Sequence, residues 1–100
     1  MEVRLRELAY RDLQSGARFY EKQRHGLSVE FLDALWRDVL SLGDDGGIYP
    51  KVLGEYRRFV SAKYPYAIIY KVEQDAVVVY AISDCRRNPK RLLRRLRDKA

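Results

Sequence analysis

The sequence has few of the residues that build metal centres, disulfides or phosphate loops. It contains one histidine and one cysteine, Cys85, so no internal disulfide can form, and with no secretory signature we expect a reducing, cytoplasmic location. No histidine, cysteine and acidic residues stand at metal-ligand spacing, and we expect neither a metal nor a cofactor. Residues 43–47 hold three glycines but lack the Lys and Ser/Thr of a phosphate loop. The longest apolar run, residues 76–82, is far shorter than the ~20 residues of a membrane span, so no membrane association is expected.

The totals describe a small folded protein. A length of 100 residues predicts a single domain, residues 1–100. Hydrophobic residues make up 47% of the chain and charged residues 34%, which argues against disorder. A domain of this size buries only about two-thirds of its unfolded surface, so its core is thin.

Positive charge is concentrated at the C-terminal end of the sequence. Residues 86–100 hold eight bases and one acid, a net charge of +7, whereas residues 1–85 hold 12 bases and 13 acids, a net charge of −1. This asymmetry predicts an anionic partner, either nucleic acid or an acidic protein segment. A solvated basic helix with no partner would give the same pattern.

Two apolar runs predict a central β-hairpin. Residues 66–72 and 76–83 are rich in Val, Ile and Tyr, and only the polar residues 73–75 separate them. The first run alternates, with its even-numbered residues toward one face. The second run does not alternate, which predicts that both of its faces are covered.

The remaining segments predict an α+β fold. Apolar residues at helical spacing predict a helix over about 10–24 and a second one that starts at an N-cap, Ser28, with a left-handed Gly26 between them. Strands are expected near residues 3–7, at a sheet edge, and over 55–62, with an irregular connector at 48–53. Asn88 and Pro89 predict the start of a short C-terminal helix. The order β-α-α-β-β-β predicts a small, mostly antiparallel four-stranded sheet packed on a two-helix hairpin, followed by that C-terminal helix.

The strongest candidate site is cationic. Arg57 and Arg58 lie on one predicted strand, and Arg86 and Arg87 end another strand of the same sheet. Since neighbours on a strand face opposite sides, one arginine of each pair is expected to reach the face away from the two helices. Guanidinium groups gathered there would bind phosphate or carboxylate, and Arg91 would extend the cluster.

Other reactive side chains are best explained as structural. His25 lies at a predicted helix end, where it interacts favourably with the dipole. Cys85 is a small strand-end residue without a histidine nearby in sequence, and Asp84 is expected to pair with a neighbouring arginine or to cap a turn. Three tyrosines lie in or near the predicted strand 55–62, namely Tyr49, Tyr56 and Tyr64. Their rings could stack on nucleic-acid bases, although a core position is favoured for each.

Two segments of the sequence resemble a known family. YEKQRHGLSVEFLDAL, residues 20–35, and KYPYAIIYKVEQDAVVVYAISDCRRNP, residues 63–89, are together similar to the RelE/ParE superfamily, the toxins of bacterial type II toxin–antitoxin modules. The signature residues are Tyr20-Glu21, Gly26-Leu27 and Phe31 in the first segment, and Tyr64-Pro65-Tyr66 and Arg86-Arg87-Asn88-Pro89 in the second. They look more like the ParE branch, the plasmid stabilisation proteins, than the RelE branch.

The ParE-like resemblance implies a growth-arresting toxin that acts on DNA gyrase and is not itself an enzyme. It also implies a cognate antitoxin, a largely disordered partner that folds onto the toxin partly as a helix in a groove and partly as an extended strand. We expect the antitoxin to bind the exposed faces of the first helices and the basic tail, residues 86–100. No cofactor, membrane or small-molecule substrate is implied.

The alternative within the superfamily is a ribosome-dependent mRNA endoribonuclease of the RelE type. Its phosphate-binding and transition-state groups would be Arg87, Arg57, Arg58 and Lys63, and Arg87 matches a functional arginine of that branch. Ala67 and Leu93, however, stand where RelE-like toxins carry an arginine and a tyrosine or histidine. These two departures favour the ParE-like interpretation. A third interpretation is a non-toxic nucleic-acid-binding module.

Overall fold

The structure, a computed structural model, describes residues 1–99 and has the predicted α+β class. Five strands and three α-helices follow one another, with one turn of 3-10 helix, Gly46–Ile48, after the second α-helix. Their bounds are β1 Glu2–Leu5, α1 Glu7–Gln23, α2 Leu27–Asp45, β2 Lys51–Leu53, β3 Tyr56–Val60, β4 Tyr66–Glu73, β5 Ala76–Asp84 and α3 Pro89–Lys99.

The sheet has five strands in the order β1-β5-β4-β3-β2 and is mixed. The predicted four-stranded, mostly antiparallel sheet is therefore wrong in its strand number. The additional strand, β2, lies in the segment expected to be an irregular connector, and its three residues are too few to show an alternating pattern. β1 occupies an edge as predicted, and it runs parallel to β5, whereas the other neighbours are antiparallel.

The α1–α2 hairpin covers one face of the sheet. Four aromatic side chains form the centre of this core, with ring centroids 5.0 to 5.2 Å apart in four of their pairs. They are Tyr20, Phe31, Tyr64 and Tyr66, and all four belong to the signature residues of the resemblance. These residues therefore stabilise the fold, and Tyr64 is buried and cannot stack on a base.

The opposite face of the sheet is covered by α3. Leu92 and Leu96 of this helix pack on a second cluster in which Tyr56, Ile69 and Tyr80 are buried. β5 therefore has both faces covered, as its continuous apolar run predicted. The Tyr56 hydroxyl donates to the Leu96 carbonyl at 3.0 Å, which links the sheet to the second half of the helix.

Gly16 marks the closest approach of α1 to the aromatic core. A Cβ at this position would lie 2.5 Å from Cζ of Phe31 and 3.3 Å from the Tyr66 hydroxyl. Phe31 is fully buried, so its ring cannot move aside without repacking the core. Although alanine favours a helix by about 1 kcal/mol over glycine, we expect Gly16→Ala to lower the free energy of unfolding by about 1–2 kcal/mol.

Urea denaturation measures this change. The control is Gly47→Ala, because a Cβ there meets nothing within 4 Å, and its expected effect is close to zero. A Gly16→Ala protein as stable as the wild type would show that the helix and the core are less tightly packed than the structure indicates.

The turn between α1 and α2 depends on Glu21. Gly26 is left-handed as predicted, with φ of 90°, but Ser28 as the N-cap is wrong because α2 already begins at Leu27. The carboxylate of Glu21 instead accepts the backbone N–H groups of Gly26 and Ser28 at 3.1 and 3.0 Å. Hydrogen bonds from the Ser28 side chain and from these N–H groups lower the pKa of Glu21 from 4.5 to about 2.

This shift predicts a pH-dependent stability. Since the pKa of Glu21 is lower in the folded than in the unfolded protein, its stabilising effect is present above about pH 4.5 and is lost as the pH falls toward 2. We expect Glu21→Gln to melt at a lower temperature than the wild type at pH 7, with the gap closing between about pH 5 and pH 2. Circular dichroism melts would show it. Glu30→Gln, at an exposed carboxylate paired with Arg24, should melt close to the wild type at pH 7, because an exposed ion pair contributes little to stability.

Candidate anion-binding site at the end of β5

The turn after β5 is organised by Asp84. Its carboxylate accepts three hydrogen bonds from Arg86, from the backbone N–H, Nε and Nη2, each at 2.9 Å. The Arg86 side chain holds the pKa of Asp84 below its usual range, and Asp84 in turn raises the pKa of Arg86. Pairing of Asp84 with a neighbouring arginine is thus confirmed, and the charges of Asp84 and Arg86 offset each other.

The two arginines of this turn point to different surroundings. The Arg86 guanidinium lies 5.4 Å from the ring centroid of Phe19, so this side chain faces α1. The Arg87 side chain is 75% exposed and only reaches 4.0 Å from Asp84. Arg87 is therefore the cation of the turn that a partner can reach most directly.

The two arginines of β3 separate as their alternation predicted. Arg58 lies on the α3 side of the sheet and places Nη2 3.8 Å from Sγ of Cys85, next to the β5 turn. Arg57 lies on the other side, half-buried, and donates to the Tyr49 carbonyl at 2.6 Å. The structure thus brings Arg58 to the predicted cluster and does not bring Arg57 there.

The remaining predicted cations lie at the edges of this region. Lys63 is exposed in the loop before β4, with its ammonium 5.8 Å from the Tyr64 ring centroid. Arg91 is exposed in the first turn of α3. The Asn88 side chain accepts the backbone N–H of Lys90 at 2.9 Å, which confirms the predicted start of that helix.

The ion pair that anchors α3 was not predicted. Arg95 donates to both carboxylate oxygens of Asp12 at 2.9 Å and to the Tyr80 carbonyl at 2.7 Å, and Asp12 accepts the Ile82 N–H at 2.8 Å. β1 pairs only with residues 76–79 of β5. Beyond β1, the ion pair provides hydrogen-bond partners for two backbone groups of β5, the Ile82 N–H and the Tyr80 carbonyl. Because the partners are 83 residues apart, no local pattern could have identified them.

Groups suited to other chemistry are few in the described part of the chain. His25 is fully exposed, with Nδ1 3.1 Å from the Glu21 carboxylate. Within residues 1–99, no group of histidine, cysteine and acidic residues could hold a metal ion. Among the described helices, none is long and apolar enough to cross a membrane.

Comparisons with known proteins show which solved structure this fold resembles. No protein-family model and no curated protein matches the sequence. Among solved structures, a chain described as "Chromosomal ParDE TA system from P. aeruginosa" is similar, with a TM-score of 0.78 and 14% sequence identity. The similarity covers 84% of this chain and 95% of that chain, nearly the whole domain. The chain therefore shares its fold with a protein of a ParDE toxin–antitoxin system, as its resemblance to the RelE/ParE superfamily predicted.

Proposed function

We propose that this protein is the toxin of a type II toxin–antitoxin module, that it arrests growth by a ParE-like action on DNA gyrase, and that a cognate antitoxin neutralises it by direct binding. The observation that carries the proposal is the fold shared with a ParDE-system chain over most of both chains. The sequence resemblance to the ParE branch also supports it, through signature residues in two separate segments of the chain.

The surroundings of Arg87 support an action by binding rather than by catalysis. Arg87 is exposed, but Asp84 beside it is already engaged by three hydrogen bonds from Arg86. Ala67, where RelE-like toxins carry an arginine, is buried under α3 with only 3% exposure. With Ala67 here and Leu93 in α3, the arginine and the proton-transfer group that RelE-like toxins carry at these two positions have no counterparts in this chain. We assign Arg87 to target binding, with Arg58 and Arg91 beside it.

A groove on the outer side of the α1–α2 hairpin supports antitoxin binding. It has a volume of about 450 Å³, and its lining combines apolar and polar side chains, namely Gln14, Ala17, Arg18, Glu21, Ser28 and Leu32. Val29 is 60% exposed on the same hairpin. An amphipathic antitoxin helix lying in this groove would bury the apolar residues, the usual arrangement for helix-in-groove recognition.

Induced expression in a bacterial host tests the proposal. We expect growth to stop after induction, DNA damage to accumulate, and co-expression of the antitoxin from the adjacent reading frame to restore growth. Normal growth despite abundant folded protein would contradict the proposal. Arrest accompanied by cleavage of messenger RNA on translating ribosomes would assign the RelE-like activity instead.

A matched pair of variants tests the groove. Val29→Glu places a charge beside the groove and should reduce antitoxin rescue while leaving growth arrest intact. Val52→Glu makes the same change at a residue of β2 that is 51% exposed, and it should be rescued as well as the wild type. Equal rescue of both variants would exclude this surface as the antitoxin site.

A further inference from the structure

Charge is divided between the two helical faces of the protein. α2 carries five acids and one base, a net charge of −4, and packs on one face of the sheet. α3 lies on the opposite face and belongs to the segment 86–100, with its net charge of +7. A polyanion would therefore be attracted to the α3 side and repelled from the α2 side.

Two cations outside the basic tail add to the α3 side, where both approach Tyr80. The guanidinium of Arg6 lies 5.0 Å from the Tyr80 ring centroid, and the Lys71 ammonium lies 5.3 Å from the same centroid. Lys71 also lies 4.4 Å from the centroid of Tyr56. The aromatic rings hold the two cations in place without neutralising them.

Nearby carboxylates are committed to other partners. Glu73 accepts the Tyr80 hydroxyl at 2.6 Å, and Glu7 pairs with Arg11 at 2.9 Å. Neither Arg6 nor Lys71 forms an ion pair with a carboxylate of the described residues. A cavity of about 260 Å³ opens at this point, lined by Arg6, Glu7, Leu8, Arg11 and Tyr80.

α3 lies next to Tyr80, one of the residues that line this cavity. Arg95 of that helix donates to the Tyr80 carbonyl, and the Leu96 carbonyl accepts the Tyr56 hydroxyl, so the second half of α3 lies against the rings that hold Arg6 and Lys71. Four further cations of α3 are exposed and form no ion pair with the described carboxylates; they are Lys90, Arg91, Arg94 and Arg97.

We propose that this α3 face, formed by Arg6, Lys71 and the exposed cations of α3, binds the phosphodiester backbone of nucleic acid. The rings of Tyr56 and Tyr80 are 3% and 7% exposed, so bases cannot stack on them and contacts are limited to the backbone. An acidic protein would need apolar anchors as well, and Leu93 is the one large apolar residue more than a third exposed on the described part of α3. The face therefore suits phosphates and reads no sequence.

Salt-dependent binding of a labelled oligonucleotide tests the proposal, using fluorescence anisotropy between 50 and 200 mM KCl. The probes are a 20-base-pair DNA duplex and a single-stranded RNA of the same sequence, which distinguish the two sources of phosphodiester. We expect binding that is insensitive to base sequence and a linear fall of log K with log salt. Arg6→Gln and Lys71→Gln should each reduce the magnitude of that slope by about 1.

Three comparisons can overturn the proposal. Arg37→Gln removes an exposed base from α2, and an effect equal to that of Arg6→Gln would mean that only overall charge matters. Poly-glutamate bound as tightly as the oligonucleotides, and weakened by the same variants, would assign the face to an acidic protein. Arg6→Lys and Lys71→Arg keep both charge and packing. If these folded variants lost the dependence of log K on log salt, that result would also contradict the proposal. No growth assay is involved, and the result is independent of toxicity.

Discussion

Replacing Asp12 with alanine is expected to lower the free energy of unfolding by about 3 kcal/mol. The change leaves the Arg95 guanidinium, which is 25% exposed, without its counter-ion, and it leaves the Ile82 N–H without an acceptor. Both losses fall at the strand edge where α3 joins α1 and β5. Urea denaturation at pH 7 should show a lower midpoint with an unchanged slope.

Two comparisons separate this ion pair from an ordinary surface pair. Glu7→Ala removes the partner of Arg11 on the same helix, where the side chains are 66% and 78% exposed, and should cost no more than about 0.5 kcal/mol. The double variant Asp12→Leu with Arg95→Met should recover part of the loss, because no buried charge remains unpaired. An Asp12→Ala protein as stable as Glu7→Ala would contradict the anchoring role.

Arg87→Glu should abolish growth arrest while leaving the protein folded. Reversing an exposed arginine at a binding surface weakens association by about 2–4 kcal/mol, roughly 30- to 1000-fold, which is enough to remove toxicity at ordinary expression levels. Colony counts after induction would measure the effect, and a thermal melt would confirm folding. The double change of Arg86 and Arg87 to Glu should also abolish arrest, but it breaks the Asp84 pair as well and is less informative.

The matched control for Arg87→Glu is Arg37→Glu, which reverses an exposed arginine on α2. It should retain full toxicity, because it changes the net charge equally but lies away from the β5 turn. Undiminished growth arrest by a folded Arg87→Glu protein would exclude this turn as the target-binding site.

Local patterns predicted the parts of the fold that local interactions determine. The hairpin of β4 and β5, the left-handed Gly26 and the cap at Asn88 follow from neighbouring residues, and the structure has all three. β2 and the parallel pairing of β1 with β5 depend on contacts between distant segments, and three-residue strands carry no periodicity. The Asp12–Arg95 pair was not predicted for the same reason, since each residue looks like an ordinary surface charge in the sequence.

The candidate site was predictable in composition but not in geometry. The run Arg86-Arg87 was visible in the sequence, and alternation along β3 correctly separated Arg57 from Arg58. Which side chain is exposed depends on the register of β3 with β4 and on the hydrogen bonds of Asp84, and only the folded chain defines these. The Arg6 and Lys71 cluster was missed because Arg6 is far from Tyr80 in the sequence, and because the register of β4 with β5 places Lys71 at the same ring.

The most direct test of the proposed function is a cleavage assay with purified DNA gyrase, plasmid DNA and ATP. We expect the protein to cause gyrase-linked double-strand breaks to accumulate, Arg87→Glu to cause none, and the antitoxin to suppress them. Normal gyrase activity at saturating protein, with messenger RNA cut on translating ribosomes by the same preparation, would contradict it.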